Sequence, residues 1–215
     1  MTLFRLDASI RVEGSTSREI ADIVEEEWLA AHPGDHVVRR HLSTDPLPSD
    51  AWAAAAAGQM TPPEDRTLAQ RSAAALAATL ADEMIEADAI VLAVPLYNFG
   101  PSQHIKTWID LLFTDPRTGV RSEFLKGKQV VLVTVRGGAY GPGTPRHGWD
   151  HSTGYLERIL RDVWLADLTV VEREFTFVGV KPELDEFTDL GAQMHAGALE
   201  AAREAGRALG VAAAA

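Results

Sequence analysis

The sequence predicts a single α/β domain over residues 1–215, built on a doubly wound, five-stranded parallel sheet with strand order 2-1-3-4-5. Five short apolar runs have the composition of buried strands, and helical patterns separate them almost throughout. This alternation is typical of a parallel sheet with both faces covered by helices. Hydroxyl- or glycine-bearing loops follow three of the runs, at 9–17, 94–99 and 135–138. Because ligands bind at the carboxyl ends of such strands, the three loops predict one common site.

The first strand is predicted at 2–8 and the first helix at 16–31. Thr16 and Glu19 have the spacing of a capping box, in which a hydroxyl and a carboxylate accept hydrogen bonds from the free amides at a helix start. We therefore expect this pair to cap the helix. Its core-facing side chains, at helical spacing, are Ile20, Ile23, Val24 and Trp28.

The middle of the chain continues the alternation. A strand is predicted at 36–42, and the proline-bearing segment 43–63 is predicted to be a long loop with one or two helical turns. An alanine-rich helix at 64–87 and an apolar strand at 89–94 follow. The remaining predicted elements are, in order, a helix at 102–113, a loop at 114–126, a strand at 129–135, a glycine- and proline-rich loop at 137–148, a helix at 150–163, a strand at 168–177 and a helix at 185–209.

Bulk composition excludes several classes of protein. With 31 acidic and 20 basic residues the net charge is −11, which repels nucleic acid and anionic membranes, so neither is an expected partner. The absence of cysteine excludes disulfides, a cysteine nucleophile and thiolate metal sites, so any redox chemistry needs a bound cofactor. No apolar run reaches the roughly 18 residues of a membrane span, and the first residues lack a signal-peptide pattern. A cytoplasmic protein is expected.

The loop after the first strand is rich in hydroxyl groups, with Ser9, Ser15, Thr16 and Ser17 close to a helix start. Such groups, together with free helix amides, can bind a phosphate without a lysine. The loop matches neither the P-loop pattern G-x-x-x-x-G-K-[ST] nor the dinucleotide pattern G-x-G-x-x-G. Phosphate binding and simple helix capping both remain open from this loop alone.

The second loop reads Pro95-Leu96-Tyr97-Asn98-Phe99, and the third reads Val135-Arg136-Gly137-Gly138 with Tyr140 just beyond. Together with the serine loop, these residues resemble the FMN-dependent NAD(P)H azoreductase and quinone reductase family, which has a flavodoxin-like fold. The similarity extends from the first strand to about residue 155 and more loosely to the end.

The resemblance implies that all three loops bind FMN. The serine loop would hold the phosphate, and backbone amides with the Asn98 side chain would address the polar atoms of the isoalloxazine ring. Gly137 and Gly138 would let the backbone approach the ring where a Cβ atom would clash. Tyr140 would cover the flavin or close its own loop, and for Arg136 a clamp to a carboxylate is favoured over substrate contact. The implied cofactor-binding residues are Ser9, Ser15, Thr16, Ser17, Pro95, Leu96, Tyr97, Asn98, Phe99, Val135, Arg136, Gly137, Gly138 and Tyr140.

The resemblance also implies an activity. NADH or NADPH would reduce the flavin and leave, and a small-molecule acceptor, a quinone, azo compound or related conjugated molecule, would then take the hydride equivalent in the same place. The family implies a homodimer with the flavin at the subunit interface. Arg117 and Arg121 are candidates to bind the 2′-phosphate of NADPH, so the choice of nicotinamide stays open.

The acceptor side departs from the family pattern in segments 114–126 and 161–164. Phe124, Asp162 and Trp164 are the candidate acceptor-side residues there. This departure leaves open a tailoring flavoenzyme with an altered acceptor, a flavodoxin-type electron carrier and a binding protein without redox chemistry. His147 and His151 have an i, i+4 spacing but lack a metalloprotease glutamate, so no metal site is predicted.

Overall fold

In the computed structural model, which describes residues 1–120 and 122–210, five parallel strands form one sheet in the order β2-β1-β3-β4-β5. This confirms the predicted fold class and strand order. The strands are β1 Thr2–Asp7, β2 His36–His41, β3 Ala89–Pro95, β4 Gln129–Val135 and β5 Asp167–Arg173.

Helices cover both faces of the sheet. They are α1 Thr16–Ala31, α2 Ala51–Gln59, α3 Leu68–Glu86, α4 Gln103–Leu112, α5 Thr153–Glu157, a π-helical continuation at Arg158–Val163, and α6 Thr188–Ala208, with short 3-10 turns at Pro63–Asp65 and Pro182–Phe187. α1 and α6 pack on one face, where Trp28 is fully buried, and α2 to α5 pack on the other, where Trp108 is buried. None of the helices within 1–120 and 122–210 is long and apolar enough to cross a membrane.

The start of α1 differs from the prediction. No side chain caps this helix, so the capping box expected from Thr16 and Glu19 is wrong. Glu19 instead lies 3.0 Å from Nε2 of His195 on α6. The capping box occurs at α3, between Thr67 and Gln70. The same local pattern gives a different result at α1 because the N-cap residue there is Ser15, so Thr16 is already inside the helix.

Two further boundaries differ. The predicted loop 43–63 contains the nine-residue helix α2, longer than the one or two turns expected. The predicted last strand ends at Arg173 rather than at 177. Phe175 has a left-handed backbone, with φ +57°, and the chain then turns so that Phe177 N–H donates to the carbonyl of Gly137 at 3.1 Å. This turn brings the end of β5 onto the loop that follows β4.

Candidate functional site

The first loop ends at an uncapped helix. Ser9, Ser15 and Ser17 are all buried, and the Ser15 and Ser17 hydroxyl oxygens lie 3.2 Å apart. Neither hydroxyl caps the backbone of α1, in contrast to Ser102, whose oxygen accepts from Ile105 N–H at the start of α4. The first amides of α1 and a pair of serine hydroxyls are therefore together at the carboxyl end of β1. Free helix amides and hydroxyl groups are the kinds of donor that can bind a phosphate.

The second loop is a tight turn with a strained backbone. Tyr97 and Gly100 exchange two backbone hydrogen bonds, of 3.3 and 2.9 Å. The two residues between them are left-handed, with φ +48° at Asn98 and +67° at Phe99. A turn of this hand suits Asn or Gly, but a phenylalanine rarely adopts it. Such strain at a strand end is typical of functional sites.

The three loops lie together, as the sequence predicts. The Tyr97 hydroxyl lies 3.2 Å from Ser9 Oγ and accepts a hydrogen bond from Ile10 N–H at 3.2 Å. Leu96 N–H donates to the carbonyl of Val135 at 2.9 Å, which links the second loop to the third. The Tyr97 side chain therefore fixes the position of the first loop, a role beyond the ring contact implied by the resemblance.

The third loop is clamped by Arg136. Its guanidinium contacts three carboxylates, Asp150 at 2.6 Å, Glu172 at 2.5 Å and Glu174 at 3.4 Å. Burial lowers the pKa of Arg136, but the hydrogen bonds that it donates to Glu172 and Asp150, and the charges of those carboxylates, outweigh burial, so the pKa is raised. These contacts are those of a structural clamp. The guanidinium is committed to these carboxylates, and this side chain is not free to contact a flavin.

Burial raises the pKa of Asp150, but hydrogen bonds from the backbone and hydroxyl of Thr153, from Ser152 N–H and from Arg136 lower it further, below its ordinary value. The Asp150 Oδ1 atom accepts from Ser152 N–H at 2.8 Å and Thr153 N–H at 2.9 Å. The aspartate therefore ties the start of α5 to the end of β4.

Of the two glycines in the third loop, Gly137 is required by packing within the chain. A Cβ atom on Gly137 would lie 2.4 Å from the ring of Phe177, so a neighbouring side chain of this same chain already excludes it. A Cβ on Gly138 would lie 3.4 Å from the Arg146 guanidinium. The need for glycine at 137 therefore follows from packing within the chain, and it gives no independent support for flavin approach.

An aromatic cluster that sequence reasoning partly missed lies beside these loops. The ring of Phe99 lies 5.6 Å from that of Trp149, edge to face, and 6.4 Å from that of Tyr140. Tyr140 N–H also donates to Glu174 at 2.8 Å, so this residue helps to close its loop as well. The sequence gives no signal for Trp149, because the role of an aromatic residue in a glycine-rich loop depends on its spatial neighbours.

Two cavities flank the site. One, of about 420 Å³, lies between the Arg136 clamp and α6, with Tyr140 and Met194 on its wall. The larger, of about 790 Å³, lies between α1 and β2 and shares Val12, Gly14 and Ser15 with the first loop. Its floor is an ion-pair network in which Arg5 contacts Asp7 at 3.2 Å. We place the site at the converging loops rather than in this larger cavity, because its buried charges are paired with each other.

The candidate acceptor-side residues do not join the loops. Trp164 is fully buried and its indole N–H donates to the Thr118 carbonyl at 3.0 Å, so it has no surface for an acceptor and that assignment is wrong. The Phe124 ring packs on Trp164 at 5.1 Å. Asp162 pairs with Arg158 at 2.8 Å on its own helix. Among the described residues, no hydrogen bond, ion pair or aromatic contact of these three candidates reaches the loops.

Arg117, a candidate for a 2′-phosphate, is held by Asp82 at 2.6 Å and by Asp115 at 2.9 Å. Its partner candidate Arg121 lies outside the described residues. Within 1–120 and 122–210, no group of three or more His, Cys, Asp or Glu side chains is placed to hold a metal ion.

Comparison with known proteins gives consistent matches over nearly the whole chain. A family model described as flavodoxin-like fold matches residues 1–195. A protein of Frankia casuarinae named FMN-dependent NADH:quinone oxidoreductase is 40% identical over 204 residues, 94% of this chain and 96% of its own. A protein of Frankia alni with the same name is 36% identical, over 87% of this chain and 90% of its own. An FMN-dependent NADH-azoreductase from Bacillus anthracis, solved with FMN, has a TM-score of 0.72 at 18% identity, over 95% of this chain and all of its own, and shares the fold.

Proposed function

This chain belongs to the flavodoxin-like fold family, and we propose that it is an FMN-dependent oxidoreductase that uses NADH to reduce a quinone or a related conjugated acceptor. The observation that carries the proposal is the convergence of three loops on one sheet edge. There an uncapped helix with buried serines lies beside a strained turn, and a hydrogen-bonded tyrosine joins the two. The relatives named above, which match almost end to end, support the same activity.

The residues present fit FMN. The α1 amides with Ser15 and Ser17 would hold the phosphate, and the turn at Asn98 and Phe99 would line the isoalloxazine ring. When bound, FMN would supply two-electron redox chemistry, and the chain would contribute orientation and hydrogen bonds. We propose a ping-pong sequence, in which oxidised nicotinamide leaves before the acceptor enters the same place. Solvent would supply protons, since no dedicated acid or base is assigned.

We propose NADH as the reductant. The Arg117 guanidinium contacts Asp82 and Asp115, so binding a 2′-phosphate there would require breaking two ion pairs. The relatives' printed names specify NADH as well. NADPH would therefore gain no matching charge from this side chain.

We also propose a cytoplasmic homodimer, as the resemblance implies. Met60 and Leu68, 88% and 72% exposed, are the most exposed of the large apolar side chains that the structure describes. Burial of such side chains is favourable, which supports an interface near them. Replacing both by serine should shift the protein from dimer to monomer in light scattering after size exclusion, and an unchanged mass would place the interface elsewhere.

The kinetic scheme is tested by steady-state rates at several fixed quinone concentrations with NADH varied. Parallel double-reciprocal lines are expected for a ping-pong enzyme, and intersecting lines would contradict it. An electron carrier of the flavodoxin type would show no NADH-dependent turnover without a separate reductase. An azo dye in place of the quinone would then show which acceptor is reduced with the higher kcat/KM.

A further inference from the structure

Trp149 is half exposed although its backbone is held on both sides. The exposed fraction of this residue is 51%. On one side Trp149 N–H donates to the Arg146 carbonyl at 3.1 Å, and on the other Asp150 is clamped to Arg136 at 2.6 Å. His151 N–H donates to the carbonyl of Phe99 at 2.9 Å. The tryptophan is therefore a fixed feature at the carboxyl edge of the sheet.

Trp149 is also coupled to the strained turn of the second loop. Its ring meets that of Phe99 edge to face, at 5.6 Å and an interplanar angle of 79°. Phe99 is itself 41% exposed and left-handed, and the Tyr140 ring lies 6.4 Å beyond it. Aromatic rings of this size usually bury much of their surface. Three neighbouring rings, two of them substantially exposed, form an aromatic surface that a flat apolar molecule could cover.

The charges around this surface favour a neutral molecule. Asp150, Glu172 and Glu174 lie next to it, and the nearby cations are Arg136, bound to all three, and Arg146, 5.9 Å from the Tyr140 ring. Three carboxylates against two guanidinium groups leave no excess positive charge to attract an anion. Stacking on an aromatic ring is therefore the main attraction this surface offers.

We propose that Trp149 is a specificity-determining residue, whose indole stacks on a neutral, fused-ring conjugated acceptor such as a naphthoquinone. The inference rests on the proposed function, because it places the acceptor beside the turn assigned to the flavin ring. Nicotinamide has a single ring and would occupy the same place before the acceptor, so this indole matters less for NADH oxidation than for binding of a fused-ring acceptor. A smaller, single-ring quinone would overlap the indole less and gain less from it.

The test compares Trp149→Leu, which removes the ring, with Trp149→Phe, which keeps one, and with Trp52→Leu as a matched control. Trp52 is 50% exposed and lies on α2, over Lys106. Anaerobic stopped-flow measures the NADH half-reaction and the reoxidation half-reaction separately, with a naphthoquinone and a benzoquinone as oxidants. Trp149→Leu should raise the half-saturating naphthoquinone concentration about 2- to 12-fold, the range expected for one aromatic pair.

The same variant should change the benzoquinone value and the NADH rate constant by less, and leave the FMN Kd unchanged. Trp149→Phe should recover most of the loss, and Trp52→Leu should match the parent protein. Equal effects on both quinones, an unchanged naphthoquinone value or a shift from dimer to monomer would overturn the role of Trp149. If the parent protein with bound FMN is not reduced by NADH, the proposed function itself fails, which is a separate result.

Discussion

Replacing Tyr97 by phenylalanine should weaken FMN binding without disturbing the fold. The Tyr97 hydroxyl joins the second loop to the first, through Ser9 Oγ and Ile10 N–H, both at 3.2 Å. The substitution keeps the ring and removes only this junction. The serine loop then loses its fixed position relative to the turn at Asn98. The residues proposed to bind the FMN phosphate and those proposed to bind the isoalloxazine ring are therefore no longer held at a fixed distance.

The magnitude follows from two neutral hydrogen bonds, each worth about 0.5–1.5 kcal/mol net. Ile10 is exposed, so water can replace part of the loss, and we take about 1–1.5 kcal/mol in total. That corresponds to an FMN Kd raised roughly 5- to 13-fold. Tyr155→Phe is the matched control, because the Tyr155 hydroxyl makes no hydrogen bond to the described part of the chain.

The assay is titration of apoprotein into FMN, followed by quenching of flavin fluorescence, with thermal unfolding of the apoprotein alongside. We expect the Kd to rise in Tyr97→Phe and to stay within about twofold in Tyr155→Phe. An unchanged Kd in Tyr97→Phe, or an equal rise in both variants, would refute the coupling of the first two loops.

Three further predictions concern the second and third loops. Asn98→Gly and Asn98→Ala should both weaken FMN retention. Only the alanine variant should also lower Tm, because the backbone φ at this position is +48°, which glycine adopts without strain. Unchanged FMN retention in both variants would remove Asn98 from the site. Gly137→Ala should destabilise the protein by about 1–3 kcal/mol, because the added Cβ atom would lie 2.4 Å from the Phe177 ring. Calorimetry should show Tm lowered by roughly 2–10 °C. An unaltered Tm would contradict this contact. The pKa of Asp150 is lowered in the folded state, so its stabilising contribution is present above its ordinary value of 3.8 and is lost as pH falls through the folded value. The free energy of unfolding of the parent, measured by chemical denaturation, should therefore fall more steeply below pH about 4 than that of Asp150→Asn. Parallel pH curves for the two proteins would count against the Arg136 clamp.

The sheet and the location of the site could be predicted because their signals are local. Apolar runs such as 89–94 and 129–135 identify buried strands, and alternation with helices fixes a parallel sheet. The carboxyl ends of parallel strands meet at one edge, so the loops containing Ser9, Asn98 and Gly137 had to lie near each other.

The errors arose where a distant residue decides the outcome. The capping pattern at Thr16 fails because the N-cap is Ser15, and Glu19 contacts His195, 176 positions away, instead. Gly137 is required by Phe177, which reaches it only because β5 ends early.

Two aromatic residues could not be placed from sequence for the same reason. Trp164 follows a π-helical segment and lies in the core, where a surface position was expected. Trp149 becomes informative only through its contact with Phe99. Side-chain partners across the fold are not encoded in local spacing.

The central claim is that this chain binds FMN at the three loops and passes electrons from NADH to it. The most direct test is an anaerobic titration of the FMN-reconstituted, desalted protein with NADH and then with NADPH, following the flavin absorption band. We expect retained flavin that bleaches with one equivalent of NADH per bound FMN, and less readily with NADPH. Retained flavin that stays oxidised in excess NADH, or no retained flavin, would contradict it.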